Sequence, residues 1–346
     1  MNEMMTAAVL YGREDVRVER VLVPEIGPED VLVRVRAALT CGTDLKVFRR
    51  GYHAKMIVPP ALFGHELAGD IVAVGENVEG FRTGQRVVAA NSAPCGNCFF
   101  CRRNEESLCE DLLFNNGAYA EYIRIPGRIV QRNLYHIPDT LAYKDAALIE
   151  PLACVVKGLD DTGLQAGDNV VVVGQGPIGM MFTRLARVYG ARVIAVARRV
   201  ERLEMAARMG ANECVLNGSG HDAVARIKEL TGGYGADVVI EAVGKPETWE
   251  LSVHMLRRGG TVNFFGGCPS DTRVSLDTGL LHYSELKCIA SFHHTPSIIR
   301  KALGIVTRGE ISAREFVKQE EPLTSLNSVL RHLMSHNGHM KTAIIP

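Results

Sequence analysis

Between Val16 and about Val88, apolar and largely β-branched residues come in short runs broken by Gly, Pro and Asp, as in VLVRVRAAL and AGDIVAVG. Such alternation and punctuation predict antiparallel β structure. Around Leu164 the rhythm changes to apolar runs alternating with segments of helical period, which predicts βαβ units and a parallel sheet. Strands are expected at Asn169 to Val173, Arg192 to Ala197, Glu213 to Leu216, Asp237 to Ala242, Thr261 to Phe265 and Leu286 to Ser291, with amphipathic helices such as Glu201 to Met209 between them. After His293 the βαβ rhythm stops. A helix from about Ser297 to Thr307 and a closing strand near Lys341 to Ile345 complete the pattern, and this tail is expected to return to the first domain. No internal repeat or low-complexity tract is present, and a cleft between the two domains is the expected active site.

Composition narrows the class. The 346 residues exceed what one hydrophobic core usually organises. At 47% hydrophobic and 23% charged the profile is globular. A formal net charge of zero removes the electrostatic reason to expect nucleic acid or an anionic membrane as a general partner and leaves small molecules. The amino terminus lacks the basic-then-apolar layout of a secretory signal, and no apolar run reaches the roughly 18 residues of a spanning helix, so a cytoplasmic protein is expected.

In NVVVVGQGPIGMMFTRLARVYGA an apolar strand is followed by Gly174, Gly176, Pro177, Ile178 and Gly179 at the start of a helix. This is the context that a dinucleotide fingerprint requires: a tight turn at Gly174, backbone approach to pyrophosphate at Gly176, and close helix packing at Gly179. A helix N-terminus favours the phosphates. At the end of the next strand, where a carboxylate usually meets the adenosine ribose, stands Ala197 followed by Arg198, Arg199 and Arg202. Guanidinium groups bind phosphate through paired hydrogen bonds, so NADP(H) is favoured while NAD(H) stays open. The competing reading is a solvated basic face at a helix start.

Of nine cysteines, Cys95, Cys98, Cys101 and Cys109 crowd into fifteen residues, a spacing that in a reducing compartment suits one tetrahedral zinc rather than disulfides. Four thiolates leave no place for substrate, so this site is structural. Cys154, Cys214, Cys268 and Cys288 lack metal spacing and read as small core residues. A dispersed set, Cys41 in TCGTD, His65 and Glu66 in FGHELAG, and Glu150 in LIEPLA, offers mixed sulfur, nitrogen and oxygen donors. Each alone fits a structural role; together they suggest an open, catalytic zinc site.

The order of motifs, TCGTD, GHE, the four-cysteine loop, IEP and GQGPIG, closely resembles the zinc-containing medium-chain dehydrogenase/reductase family over nearly the whole chain. The GHE and IEP forms are most similar to its sorbitol, threonine and butanediol dehydrogenase branches. The resemblance implies an α/β fold, with a GroES-like β catalytic domain (1–153 and 294–346) carrying both zinc sites and a Rossmann domain (154–293). It implies Cys41 and His65 as zinc ligands, and Glu66 and Glu150 as carboxylates that alternate as ligand or as partner of the metal's water. Thr43 becomes the hydroxyl that moves the substrate's proton, and Asp44 the carboxylate orienting the histidine. The implied reaction is hydride transfer between NAD(P) and a secondary alcohol or polyol, including a sugar alcohol or its phosphate, in a homodimer or homotetramer.

One departure stands out: several relatives have a histidine five residues after the zinc cysteine, where this chain has Lys46. The same segment, LKVFRRGYHAK, is expected to be a loop collecting Lys46, Arg49, Arg50, His53 and Lys55, a set that suits a phosphate or carboxylate on the substrate or else a solvated surface. Threonine dehydrogenase-like oxidation, a zinc-free quinone reductase, and a non-catalytic dinucleotide-binding redox sensor are the rival readings.

Overall fold

The strand Val31–Leu39 buries Val31, Val33 and Val35 while Arg34 and Arg36 stay exposed. This period of two makes one face of the strand a core face. In the computed structural model, which describes residues 3–53, 55–218, 220–335 and 340–346, it is central to the sheet of a first unit, Met1–Ala153 with His294–Pro346. Across that sheet run Leu134–His136, Arg86–Ala89, Glu66–Val74, Val31–Leu39, Lys341–Ile345 and Val317–Pro322, with Tyr122–Ile125 also paired to Val31–Leu39. A smaller sheet joins Asp15–Leu22, Met4–Gly12 and Ala61–Leu62. Val33, Val35, Phe48, Phe63, Ile71, Tyr119 and Ile125 share the main core of this unit.

Register decides what meets at one end of the sheet. Leu39 pairs with Glu66, and Ala343 pairs with Leu39. Thr40 donates its N–H to the Thr342 carbonyl at 3.0 Å, while the Thr342 N–H donates to the Thr40 hydroxyl at 2.9 Å. Residues 40–41, 65–66 and 341 therefore converge although they are far apart in the chain.

The second unit, Cys154–His293, holds a six-stranded sheet in the order Glu213–Leu216, Arg192–Ala197, Asn169–Val173, Ala236–Glu241, Leu256–Phe264, Lys287–Ile289. Every neighbouring pair is parallel. The order places two βαβ halves on either side of the first strand, the doubly wound arrangement whose ligands bind at the carboxyl ends of the strands. Val171, Val173, Ile194, Val196, Val239 and Val262 form its core. The first three strands run as the sequence pattern predicts. Leu256–Phe264 starts five residues before the expected Thr261, because its leading LRRGG carries no apolar periodicity.

Several expectations are corrected. Lys46, Arg49 and Arg50 stand on a helix, Gly42–Arg50, because Cys41 caps its start and the left-handed Gly51 ends it. A helix at Leu326–Ser335 and a strand at Val317–Pro322 add to the tail. None of Cys154, Cys214, Cys268 and Cys288 is a core residue: Cys154 and Cys268 are half-buried, and Cys214 and Cys288 are exposed on the two edge strands of the parallel sheet. Edge strands have only one neighbour, so a small side chain there needs no burial. Among the described residues no helix is long and apolar enough to cross a membrane.

Candidate metal and dinucleotide sites

The helix Gly42–Arg50 begins with an unusual cap. The Cys41 sulfur accepts the Thr43 N–H at 3.4 Å, and Asp44 accepts the Cys41 N–H at 3.0 Å, a reciprocal box that satisfies two free helix donors and fixes the sulfur. Asp44 also lies 3.0 Å from Nδ1 of His65 and takes the Tyr119 hydroxyl at 2.5 Å. With Nδ1–H committed to Asp44, Nε2 of His65 carries a lone pair. Ligand atoms of Cys41, His65 and Glu66 all lie within 4.8 Å of one another.

Burial disfavours a charged His65, yet Asp44 and Cys41 outweigh it and hold the ring well above the usual imidazole range. Burial also pushes the Glu66 carboxyl upward, against the pull of Lys341 and His65 and with the charge of Glu150 adding to the push. Lys341 donates to both Glu66 oxygens at 2.7 and 2.6 Å and to the Thr40 carbonyl at 2.9 Å. Glu150, in the first turn of Ile149–Asp160, is buried with Nε2 of His294 3.4 Å from its carboxylate, and the same nitrogen lies 3.2 Å from Oδ1 of Asn91. Thr43 is half-buried on the first turn of the helix. One thiolate, one imidazole and one carboxylate, the donors of Cys41, His65 and Glu66, fit a borderline cation such as zinc with a position left for substrate; Glu150 is not part of this group.

Cys95, Cys98, Cys101 and Cys109 form a second group with all sulfurs within 4.8 Å. Cys95 and Cys101 are 3.9 Å apart, as are Cys98 and Cys109. A tetrahedron with Zn–S bonds of about 2.3 Å has edges of about 3.8 Å, so the loop is set for one ion. Backbone N–H groups of Cys101 and Glu110 bring Cys98 down to about 6, while burial pushes Cys101 up to about 12. Among the described residues the cysteines form no disulfide.

In the second unit the turn after Asn169–Val173 has Gly174 at φ +93° and leads into the helix Pro177–Val188. A Cβ on Gly179 would stand 1.8 Å from the Gly174 carbonyl oxygen, whereas one on Gly176 would meet nothing within 4 Å. Gly179 is thus required by the fold. Gly176 is not, and the open space in front of it is where a ligand's phosphates can approach. Gly176 caps this helix without any side-chain hydrogen bond, leaving its first N–H groups directed outward. Pro177 starts the helix and Ile178 follows it. Arg198 and Arg199 are exposed beyond the second strand, with Arg199 at the N-cap of Val200–Arg208. Arg202 is mostly buried, and burial together with the charge of Arg199 lowers its pKa.

On the metal-site unit, His53 accepts the N–H groups of Lys55 and Met56 at Nδ1, 3.3 and 3.2 Å away, so its Nε2 carries the proton. Burial, then Arg50, His65, Lys55 and Lys46, lower its pKa. Lys46, Arg50, His53 and Lys55 therefore share one electrostatic neighbourhood with the metal site, whereas Arg49 lines a separate hollow with Glu14 and Arg331. Sequence reasoning missed Lys341, Tyr119, His294 and Asn91. Nothing local signals them, since each owes its place to a partner between 75 and 275 residues away.

Comparison with known proteins agrees with this geometry. Residues 27–139 match the alcohol dehydrogenase GroES-like domain, and residues 177–308 match the zinc-binding dehydrogenase model. The chain is 31% identical over 350 residues to the sorbitol dehydrogenase of Bacillus subtilis, covering 99% of this chain and 97% of that protein. It is 36% identical over 258 residues to the L-threonine 3-dehydrogenase of Bacillus licheniformis, 73% of each. The crystal structure of a candidate zinc-binding dehydrogenase from Sinorhizobium meliloti bound to NADP superposes with a TM-score of 0.91 at 32% identity, covering 99% of this chain and all of that one. The chain belongs to the zinc-containing medium-chain dehydrogenase/reductase family.

Proposed function

We propose that this chain is a zinc-dependent dehydrogenase that moves hydride between a secondary alcohol or polyol and NADP(H), which it uses in preference to NAD(H). The observation that carries the reading is the convergence of Cys41, His65 and Glu66 donor atoms within 4.8 Å, with Asp44 fixing the imidazole. Cys41 and His65 would hold the catalytic zinc with Glu66 or Glu150, and the four-cysteine loop a structural one. When bound, the catalytic ion polarises the substrate's carbon–oxygen group.

The chain's own residues supply the rest. Thr43, anchored through its N–H to Cys41, offers the hydroxyl that takes the substrate's proton. The open face of Gly176 and the uncapped helix behind it receive the pyrophosphate. Arg198 and Arg199, exposed at the end of the second strand, favour a 2′-phosphate through charge-assisted hydrogen bonds, and Arg202 follows on the next helix. Lys46, Arg50, His53 and Lys55 support a substrate that carries phosphate or carboxylate, with a sugar alcohol phosphate as the leading case. A cytoplasmic homodimer or homotetramer completes the reading.

The test follows nicotinamide absorbance with zinc-loaded protein, offering polyols, polyol phosphates, vicinal diols and threonine with NADP and with NAD. Turnover of a polyol or its phosphate with NADP is the expected result. Turnover of threonine alone would move the chain to amino-alcohol oxidation, a higher kcat/KM with NAD would overturn the arginine reading, and cofactor binding without any turnover would overturn the enzymatic one.

A further inference from the structure

Lys341 is 2% exposed, and the ammonium uses its three hydrogen bonds on the two Glu66 oxygens and the Thr40 carbonyl. A buried ion pair is seldom retained for stability alone, because apolar residues of similar volume usually serve the fold as well. Nor does the closing strand need this lysine to dock: Thr342 and Thr40 exchange two hydrogen bonds of their own, and Ala343 and Ile344 pair with Leu39 and Ala38. What the lysine adds at this place is charge. Its ammonium sits directly on Glu66, whose ligand atom lies within 4.8 Å of those of Cys41 and His65, so the positive charge stands at the edge of the metal position.

We infer that Lys341 is a positioning residue of the catalytic metal site: it holds Glu66 by both oxygens and fixes a positive charge beside the metal, which loosens the ion's binding while keeping it a strong electron acceptor. A carboxylate has about four lone-pair directions, and Lys341 occupies one on each oxygen, so Glu66 cannot turn both oxygens to the cation. The like charge of the ammonium also opposes the cation directly, an effect that is large between neighbours in a site of low polarisability. The inference rests on the zinc reading above.

A positioning role and a structural one predict opposite signs. In the full-length protein, zinc affinity is measured by chelator competition for the wild type and for Lys341→Met, Lys341→Gln and Lys341→Arg, with Cys41→Ser identifying which of the bound ions belongs to this site. The Met and Gln variants are expected to bind that zinc about tenfold more tightly, by loss of the like charge, with kcat reduced at least as much, KM little changed, and Arg restoring both values. Should Lys341→Met not fold, Lys341→Gln, which keeps a hydrogen-bond donor, carries the comparison. Unchanged or weaker zinc binding in the neutral variants would overturn the inference while leaving the zinc reading intact. If Cys41→Ser loses no metal, the zinc reading itself fails and the inference with it.

Discussion

Oδ1 of Asp44 stands 3.0 Å from Nδ1 of His65, and both side chains are almost wholly buried. The carboxylate thereby selects the ring tautomer whose other nitrogen faces Cys41 and Glu66. Its second oxygen takes the Cys41 N–H and the Tyr119 hydroxyl, so one carboxylate sets two donor groups of the site. Replacing Asp44 by Asn keeps the shape but removes the charge, and partners of metal-binding histidines typically contribute about 10- to 100-fold in metal affinity. The expected result for Asp44→Asn is a loss of that size in zinc affinity at this site, with the four-cysteine zinc retained. Metal analysis after graded chelation checks it, and equal loss from both sites would contradict it.

Gly176 and Gly179 make a sharper contrast because they lie three residues apart and answer to different demands. An Ala at 179 collides with the Gly174 carbonyl, while an Ala at 176 projects into empty space. Gly179→Ala is expected to lower the melting temperature and abolish cofactor binding together. Gly176→Ala is expected to leave melting unchanged yet weaken NADP about tenfold or more, since the backbone must approach the pyrophosphate there. Melting curves and cofactor titration separate the two, and undisturbed cofactor binding in Gly176→Ala would remove the pyrophosphate from this turn.

What could be read from the sequence divides along physical lines. The glycine turn and the four-cysteine loop are local, each built within a few residues of chain, and both stand as their spacing implies. The parallel strands are legible because Val170 to Val173 or Val193 to Val196 must be apolar on both faces. The helix after Cys41 is not, because its apolar face amounts to Leu45, Val47 and Phe48 among charged neighbours, and its start depends on a cysteine acting as cap. Lys341 was legible only as the first residue of a strand; its burial against Glu66 follows from sheet register across 275 residues. The resemblance named the ligand candidates, but the ion pair that ties one of them down is a tertiary fact.

On the proposed reading Arg198 and Arg199 set cofactor choice, and both are exposed outside the hydrophobic core, so their replacement leaves the core packing in place. Their joint replacement by Ala is expected to raise KM for NADP about tenfold, in line with the loss of charge-assisted bonds to a phosphate, and to leave KM for NAD within about twofold. Steady-state kinetics with the two cofactors checks the ratio. A parallel loss with NAD would mean that the arginines serve a part of the cofactor common to both. Arg202 calls for separate treatment, because its burial makes a truncation there a packing change as well.

Asp237 supplies a pH-dependent element of the dinucleotide-binding unit. Its carboxylate accepts the Asn169 N–H at 2.7 Å and the Nε–H of Arg257 at 2.5 Å, joining the starts of three neighbouring strands. Burial tends to raise its pKa, but Arg257 and Asn169 outweigh that and hold it below the ordinary 3.8. A folded-state value below the unfolded one means that the contribution is fully present at neutral pH and is lost as acid takes the pH down through the depressed value. Arg257 is 41% exposed, so solvent screens the pair, and Asp237→Asn should cost about 1 kcal/mol at pH 7. For a unit of this size that is a fall of about 2 to 4 °C in melting temperature. The gap between wild type and variant is expected to narrow as the pH is lowered towards 3, because the wild-type carboxylate then begins to take up its proton. Melting curves of both proteins from pH 7 to 3 decide it; a gap that stays constant would show that the cost comes from the hydrogen bond that the amide NH2 cannot accept and not from the charge.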